Sequence, residues 1–144
     1  MCVRCDGPDL LRKAGLEPTP NRLAVLAVFT RSRSPMAARE VGESLDVLPG
    51  AAMNRVTVYR ILELLAGRGV LTRLACPDRM DRYCLGASPL HPGHAHFFCQ
   101  SCGHMRCLRP ECVRLETDQD ASCGRIEMAQ VLLAGTCASC LALG

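Results

Sequence analysis

The sequence predicts an α+β fold in two parts, a winged-helix unit over residues 1–86 and a smaller strand-containing unit over 94–144, joined by a hinge at 87–93. Three observations predict it. The first half carries helical periodicity behind Pro and Asn start signals. A hairpin pattern closes that half. Two Cys-x-x-Cys pairs organise the second half. The hinge is the richest breaker segment of the chain, with two Gly and two Pro in the eight residues 86–93.

Three segments open with a capping-type residue before proline: Gly7-Pro8, Thr19-Pro20 and Ser34-Pro35. Proline suits the first helical turn because its missing N–H would be unpaired there anyway. Thr19 and Ser34 are each expected to accept a bond from a first-turn N–H. The helices are expected at 8–14, stopped by Gly15; at 20–30, with Leu23, Leu26, Ala27 and Thr30 on one face; and at 35–46. A fourth helix starts at Asn54 and closes at Gly67. Its residues Val58, Ile61, Leu62 and Leu65 follow the i, i+3, i+4, i+7 stripe of a buried face. The opposite face presents Val56, Tyr59, Arg60 and Glu63, with Thr57 on its flank. A polar, aromatic and basic face backed by an apolar stripe suits a helix lying in a DNA major groove. Residues 70–74 and 81–85 then read as a short hairpin, the wing, with Arg73, Arg79 and Arg82 expected to serve phosphates.

Composition bounds the rest. The chain has 144 residues, 17 Lys+Arg against 14 Asp+Glu, no Trp and only five Tyr and Phe, so the core must come from smaller aliphatic side chains. The first half has a net charge of +4 and residues 87–144 a net of −1, which assigns any polyanion partner to the first half. No apolar run reaches the ~18 residues of a membrane span. No secretory signal is visible at the N-terminus, so a cytoplasmic location is expected. Eleven residues are Cys, about 8% of the chain. In a cytoplasmic protein metal ligation is a better expectation for them than disulfides. Cys2 and Cys5 form a loose pair on the tail, read as either an extra metal-binding arm or, the favoured reading, a pair without a role.

Cys99 with Cys102 and Cys137 with Cys140 start 38 residues apart. Two such pairs signal a structural Zn²⁺ site, because four thiolates complete a tetrahedron and leave no open position. His94 and His96, on an expected strand, would share one face and present two imidazoles to a metal. Cys107 is expected on the partner strand. A last strand is expected over 126–133, feeding the second pair. There is no Ser/His/Asp order, Gly-rich phosphate loop or HExxH, so neither an enzyme nor a small-molecule substrate is expected.

The order of these features resembles the ferric uptake regulator family of metal-responsive repressors, over about residues 8–140. The matching stretches are LRKAGLEPTPNRLAVL (11–26), AAREVGESL (37–45), VTVYRILELLAGRGVL (56–71), HAHFFCQSCG (94–103) and LLAGTCASC (132–140). The resemblance implies an N-terminal winged helix that binds a double-stranded operator and a C-terminal α/β dimerisation domain in a homodimer. It implies a structural zinc on Cys99, Cys102, Cys137 and Cys140. Tyr59 and Arg60 match recognition-helix contacts, with Thr57 in the same TVYR core, and Arg22 lies where a basic residue grips phosphate. His94 and His96 match two ligands of the family's regulatory site. Cys84 and Cys107 fall where iron- and peroxide-responsive members carry carboxylates. Pro35 stands near where those members place a histidine, and Ala129 or Gln130 replaces the late histidine of an auxiliary site. Arg55 stands at a position that is typically apolar.

A regulatory set of Cys84, His94, His96 and Cys107 holds two sulfurs and two imidazoles, which select Zn²⁺ over Fe²⁺ or Mn²⁺. The chain therefore looks most like the zinc uptake regulator branch. Cys76 is an alternative to Cys84. Two other readings stay open: an iron- or peroxide/thiol-responsive member of the same family, and a thiol-rich metal buffer or redox protein with no DNA role.

Overall fold

A computed structural model describes residues 5–32, 34–88, 93–116, 124–126 and 129–144. The chain divides into two compact units, Met1–Pro92 and Gly93–Gly144. Cys2, Cys123 and most of the expected hinge lie outside the described residues.

The first unit holds α1 (Gly7–Lys13), α2 (Pro20–Arg31), α3 (Ala38–Asp46), α4 (Arg55–Gly67) and the hairpin β1 (Leu71–Leu74) and β2 (Arg82–Leu85). Local chemistry explains most of the boundaries. Thr19 accepts from the Arg22 N–H at 3.4 Å and Asn54 from the Thr57 N–H at 2.8 Å, so both caps form as expected. Gly15, at φ +72°, follows α1. Asp6, rather than Gly7, is the residue that precedes α1.

Two expectations need correction. Helix α3 begins at Ala38, not at Pro35, and Ser34 does not cap it. Met36 is taken instead by the wing: its N–H and C=O exchange 2.9 Å bonds with Tyr83. The helix then starts with the Glu40 carboxylate accepting from the Ala37 N–H at 2.7 Å. The buried residues of α2 are Val25, Leu26, Val28 and Phe29, not a stripe through Leu23, Ala27 and Thr30. The helix packs against α1, α3, α4 and β2, so no single face needs to be the apolar one.

Helix α4 buries Val58, Ile61, Leu62 and Leu65, the expected stripe. These side chains join Leu11, Val41, Leu45 and Leu71 in one core, in which Phe29 and Tyr83 are the aromatic members. The hairpin is antiparallel, with Leu71 opposite Leu85 and Arg73 opposite Tyr83.

The second unit is a three-stranded sheet in the order β4-β3-β5, followed by a short helix. Strand β3 (His96–Cys99) pairs antiparallel with β4 (Met105–Cys107) and parallel with β5 (Leu132–Gly135). A 3₁₀ turn at Pro110–Cys112 follows β4, and α5 (Ala138–Leu143) closes the chain. The expected strand over 126–133 is shorter and later, and among the described residues before Leu132 none is in it. The parallel register with β3 covers Leu132–Gly135, and Val131 O accepts the His96 N–H at 2.9 Å, so the pairing seen among the described residues runs from Val131 to Gly135.

Candidate metal centre and nucleic-acid interface

The ligand atoms of Cys99, Cys102, Cys137 and Cys140 all lie within 4.8 Å of one another. Cys99 ends β3. Its N–H bonds His104 O and its C=O accepts from Gly103, both at 2.8 Å, which turns the chain tightly enough to return Cys102. Gly103 sits at φ +71°, a conformation open to glycine. Cys137 caps α5 and Cys140 lies one turn along, so the second pair is set by a helix start. Parallel pairing of Cys99 with Gly135 brings the two pairs together.

The geometry suits one tetrahedral ion. The Cys99–Cys140 and Cys102–Cys137 sulfur distances are both 3.9 Å. A tetrahedron with Zn–S bonds of about 2.3 Å has edges of about 3.8 Å. The electrostatics point the same way. The Cys137 N–H donates to Cys99 Sγ at 3.3 Å. With the backbone N–H groups of Cys102 and Ser101 it lowers the Cys99 thiol to about 6. Cys140 is pushed up to about 12, because it shares its proton with the sulfurs of Cys137, Cys102 and Cys99 and is partly desolvated. Four thiolates this close repel one another, and a dication supplies the charge that lets all four ionise. The cluster therefore fits a structural zinc site, in which the ion would cross-link β3 to α5.

His94 and His96 are neighbours, with ring centroids 4.7 Å apart. The reason differs from the expected one: His94 precedes β3, and only His96 is in the strand. His96 is buried and His94 half-buried. Cys107 is the Cα partner of His96 across the β3–β4 ladder, so the two side chains share a face. Cys84 lies buried in β2 of the first unit, opposite Thr72, and Cys76 lies buried just after β1. Cys5 is in a disulfide, whereas metal ligation was the better expectation for the cysteines.

The outer face of α4 is exposed. Val56 is 58% and Tyr59 43% accessible, with Arg60 exposed beside them and Thr57 half-buried, its N–H held by Asn54. Arg22, at the start of α2, donates to Glu17 O at 2.9 Å. This face can offer hydrogen bonds and apolar contact to base edges and charge to phosphates.

Two of the three wing arginines are paired with carboxylates, and one of them, Arg82, departs from expectation. Arg82 is 8% exposed and forms a two-pronged pair with Asp78 at 3.0 and 2.8 Å, so it serves the hairpin and not a phosphate. Arg73 is held by Asp81 and Glu63. Arg79 remains exposed at the turn, at φ +62°. Sequence reading missed Asp78, Asp81 and the Tyr83–Glu63 bond of 2.6 Å, which spans 20 residues and leaves no local signature.

The Ferric uptake regulator family model matches residues 13–131. The chain belongs to the ferric uptake regulator family. A curated family relative, the peroxide-responsive repressor of Staphylococcus epidermidis, is 29% identical over 65% of this chain and 59% of its own length. The chain thus spans about three fifths of that relative. A crystal structure of the Vibrio cholerae ferric uptake regulator matches at 23% identity and TM-score 0.70, covering 92% of this chain and all of that one. A zinc uptake regulator complexed with zinc and DNA matches at 22% identity and TM-score 0.57, covering 97% and 98%. At these identities the likeness establishes a shared fold. Among the described residues no helix is long and apolar enough to cross a membrane.

Proposed function

We propose that this family member is a homodimeric, metal-responsive repressor that binds a double-stranded DNA operator, and that the metal it senses is zinc. The observation that carries the zinc reading is the donor chemistry around His96: a second imidazole 4.7 Å away and a thiol opposite it in the ladder, where the strand pair offers no carboxylate. Soft sulfur with imidazole favours Zn²⁺ over iron(II) or manganese(II). The proposed regulatory ligands are Cys84, His94, His96 and Cys107, distinct from the four structural cysteines. They come from both halves of the chain, so metal binding and operator binding are linked, and each tightens the other.

The proposed DNA contacts are Thr57, Tyr59 and Arg60 on α4, with Arg22 on phosphate. Exposure of Val56, Tyr59 and Arg60 on a capped helix next to a hairpin supports them. Dimerisation is supported by β5, which exposes Leu132 and Leu133 at the edge of its sheet, and by Leu141 of α5, 67% accessible. None of this requires an enzymatic reaction.

The test is duplex binding against each metal ion, with metal counted per chain, in wild type and Cys84→Ser. Two zincs per chain in the DNA-bound form, falling to one in the variant with loss of binding, is the expected result. Operator affinity that ignores added zinc, in protein already holding its structural zinc, would refute it. A second reading, a peroxide sensor, is favoured by the peroxide-responsive relatives. It predicts loss of DNA binding on peroxide treatment and no response to zinc.

A further inference from the structure

We propose that Asp81 is an internal stand-in for a DNA phosphate, occupying the Arg73 guanidinium in the protein alone and yielding it to a backbone phosphate of duplex DNA. The inference rests on the DNA-binding reading above and adds to it a residue that sets how readily the wing accepts any polyanion.

The geometry is that of a phosphate contact. One oxygen of Asp81 accepts from Arg73 Nε at 3.0 Å and also from Arg73 Nη2. This is the forked edge with which a guanidinium grips phosphate oxygens. On the other side, Arg73 Nη1 stands 3.4 Å from Glu63 of α4. Glu63 is itself fixed, because Tyr83 donates its hydroxyl to it at 2.6 Å. Arg73 is therefore held at a set position between the wing and α4, not left to wander.

Two further features make the pair exchangeable. The Arg73 and Asp81 side chains are 51% and 39% accessible, so a phosphate can reach the guanidinium without unfolding anything. The two carboxylates also lie in a basic cleft of about 680 Å³, lined by Arg39, Arg55, Tyr59 and Arg79. Glu63 and Asp81 are the acidic residues of that lining. An exposed pair of this kind is weak, so giving it up costs little and a phosphate competes well. Asp81 thus discounts every DNA sequence alike, and the α4 contacts must make up the difference.

The experiment uses the full chain loaded with zinc and a 30-base-pair duplex of random sequence, with affinity measured across a salt series. Asp81→Asn is expected to tighten binding about two- to fivefold. Arg73→Gln is expected to weaken it and to reduce the slope of log affinity on log salt by about 0.9, the loss of one phosphate contact. In the Arg73→Gln background, Asp81→Asn should give at most half its gain in wild type. Equal gains in both backgrounds, or an unchanged slope in Arg73→Gln, overturn the proposal while leaving DNA binding intact. Wild type that binds no duplex at any salt overturns the DNA-binding reading, and this one with it. Thermal melts within about 2 °C of wild type confirm that exposed-site substitutions have not unfolded the unit.

Discussion

At the scale of single residues, the wing is held by a charge largely withdrawn from solvent. Arg82 lies in β2 with its side chain 10% accessible, and Asp78 covers both of its outer nitrogens. The Arg82 hydrogen bonds hold the Asp78 carboxyl below its ordinary range, against a smaller opposing effect of burial. Replacing Asp78 with Asn removes the charged acceptor from a guanidinium in the protein interior, at an expected cost of about 1–3 kcal/mol. Because folding depresses this carboxyl, its contribution is complete above the ordinary value of 3.8 and is lost as pH falls below that. Denaturation midpoints of wild type and Asp78→Asn should therefore differ at neutral pH and converge in acid. A gap that stays constant down to pH 2 would contradict this origin. Such a pair has no reading in the sequence, where Arg82 is one more cation on a strand; only the register of the hairpin points it inward.

At the scale of elements, what was legible was what neighbouring residues decide. The Asn54 cap, the Thr19 cap and the α4 stripe each need only a few consecutive residues. The start of α3 was not legible, because Met36 binds Tyr83, 47 positions along the chain, in preference to extending the helix. The exit from the wing is governed in the same way. Gly86 donates its N–H to Val70 O at 2.9 Å. A Cβ added at Gly86 would meet Gly69 O at 2.3 Å, a backbone atom that cannot swing aside. Gly86→Ala should thus cost roughly 1–3 kcal/mol by forcing the two strand ends apart. Urea denaturation of the variant measures it, and an unchanged midpoint would show that the wing yields freely. In the sequence Gly86 marked only the start of a breaker-rich segment.

At the scale of the whole molecule, the two units are stabilised differently. The first has a continuous aliphatic core running through four helices and the hairpin. In the second, the buried apolar residues among those described are Ala95, just before β3, and Phe98, Cys99 and Met105 on strands of three or four residues. So small a core does not stabilise a unit of this length without a cross-link. Removing zinc with a strong chelator, or introducing Cys99→Ser, should therefore unfold residues 93–144 while the helical unit keeps its structure. Amide exchange resolves the two: protection should vanish at Phe98 and Cys99 and persist at Leu62 and Leu65. Protection retained at Phe98 after metal loss would show that the sheet stands on its own.

The sequence by itself determined the four helices of the first unit to within a few residues, the Thr19 and Asn54 caps, the hairpin, the two Cys-x-x-Cys pairs and the family, because each is written within a few consecutive residues or in a short motif. Which cysteine sulfur lies beside which was decided by the parallel register of β3 on β5, which sets Cys99 near Cys140 and Cys102 near Cys137. Which arginines face outward was decided by the pairing of β1 with β2 and by the approach of α4 to the hairpin. Those choices belong to the tertiary structure for one physical reason. An ion pair or a metal tetrahedron depends on separations of 3 to 4 Å between side chains from different elements or from the two sides of a turn, and local propensity carries no information about such distances.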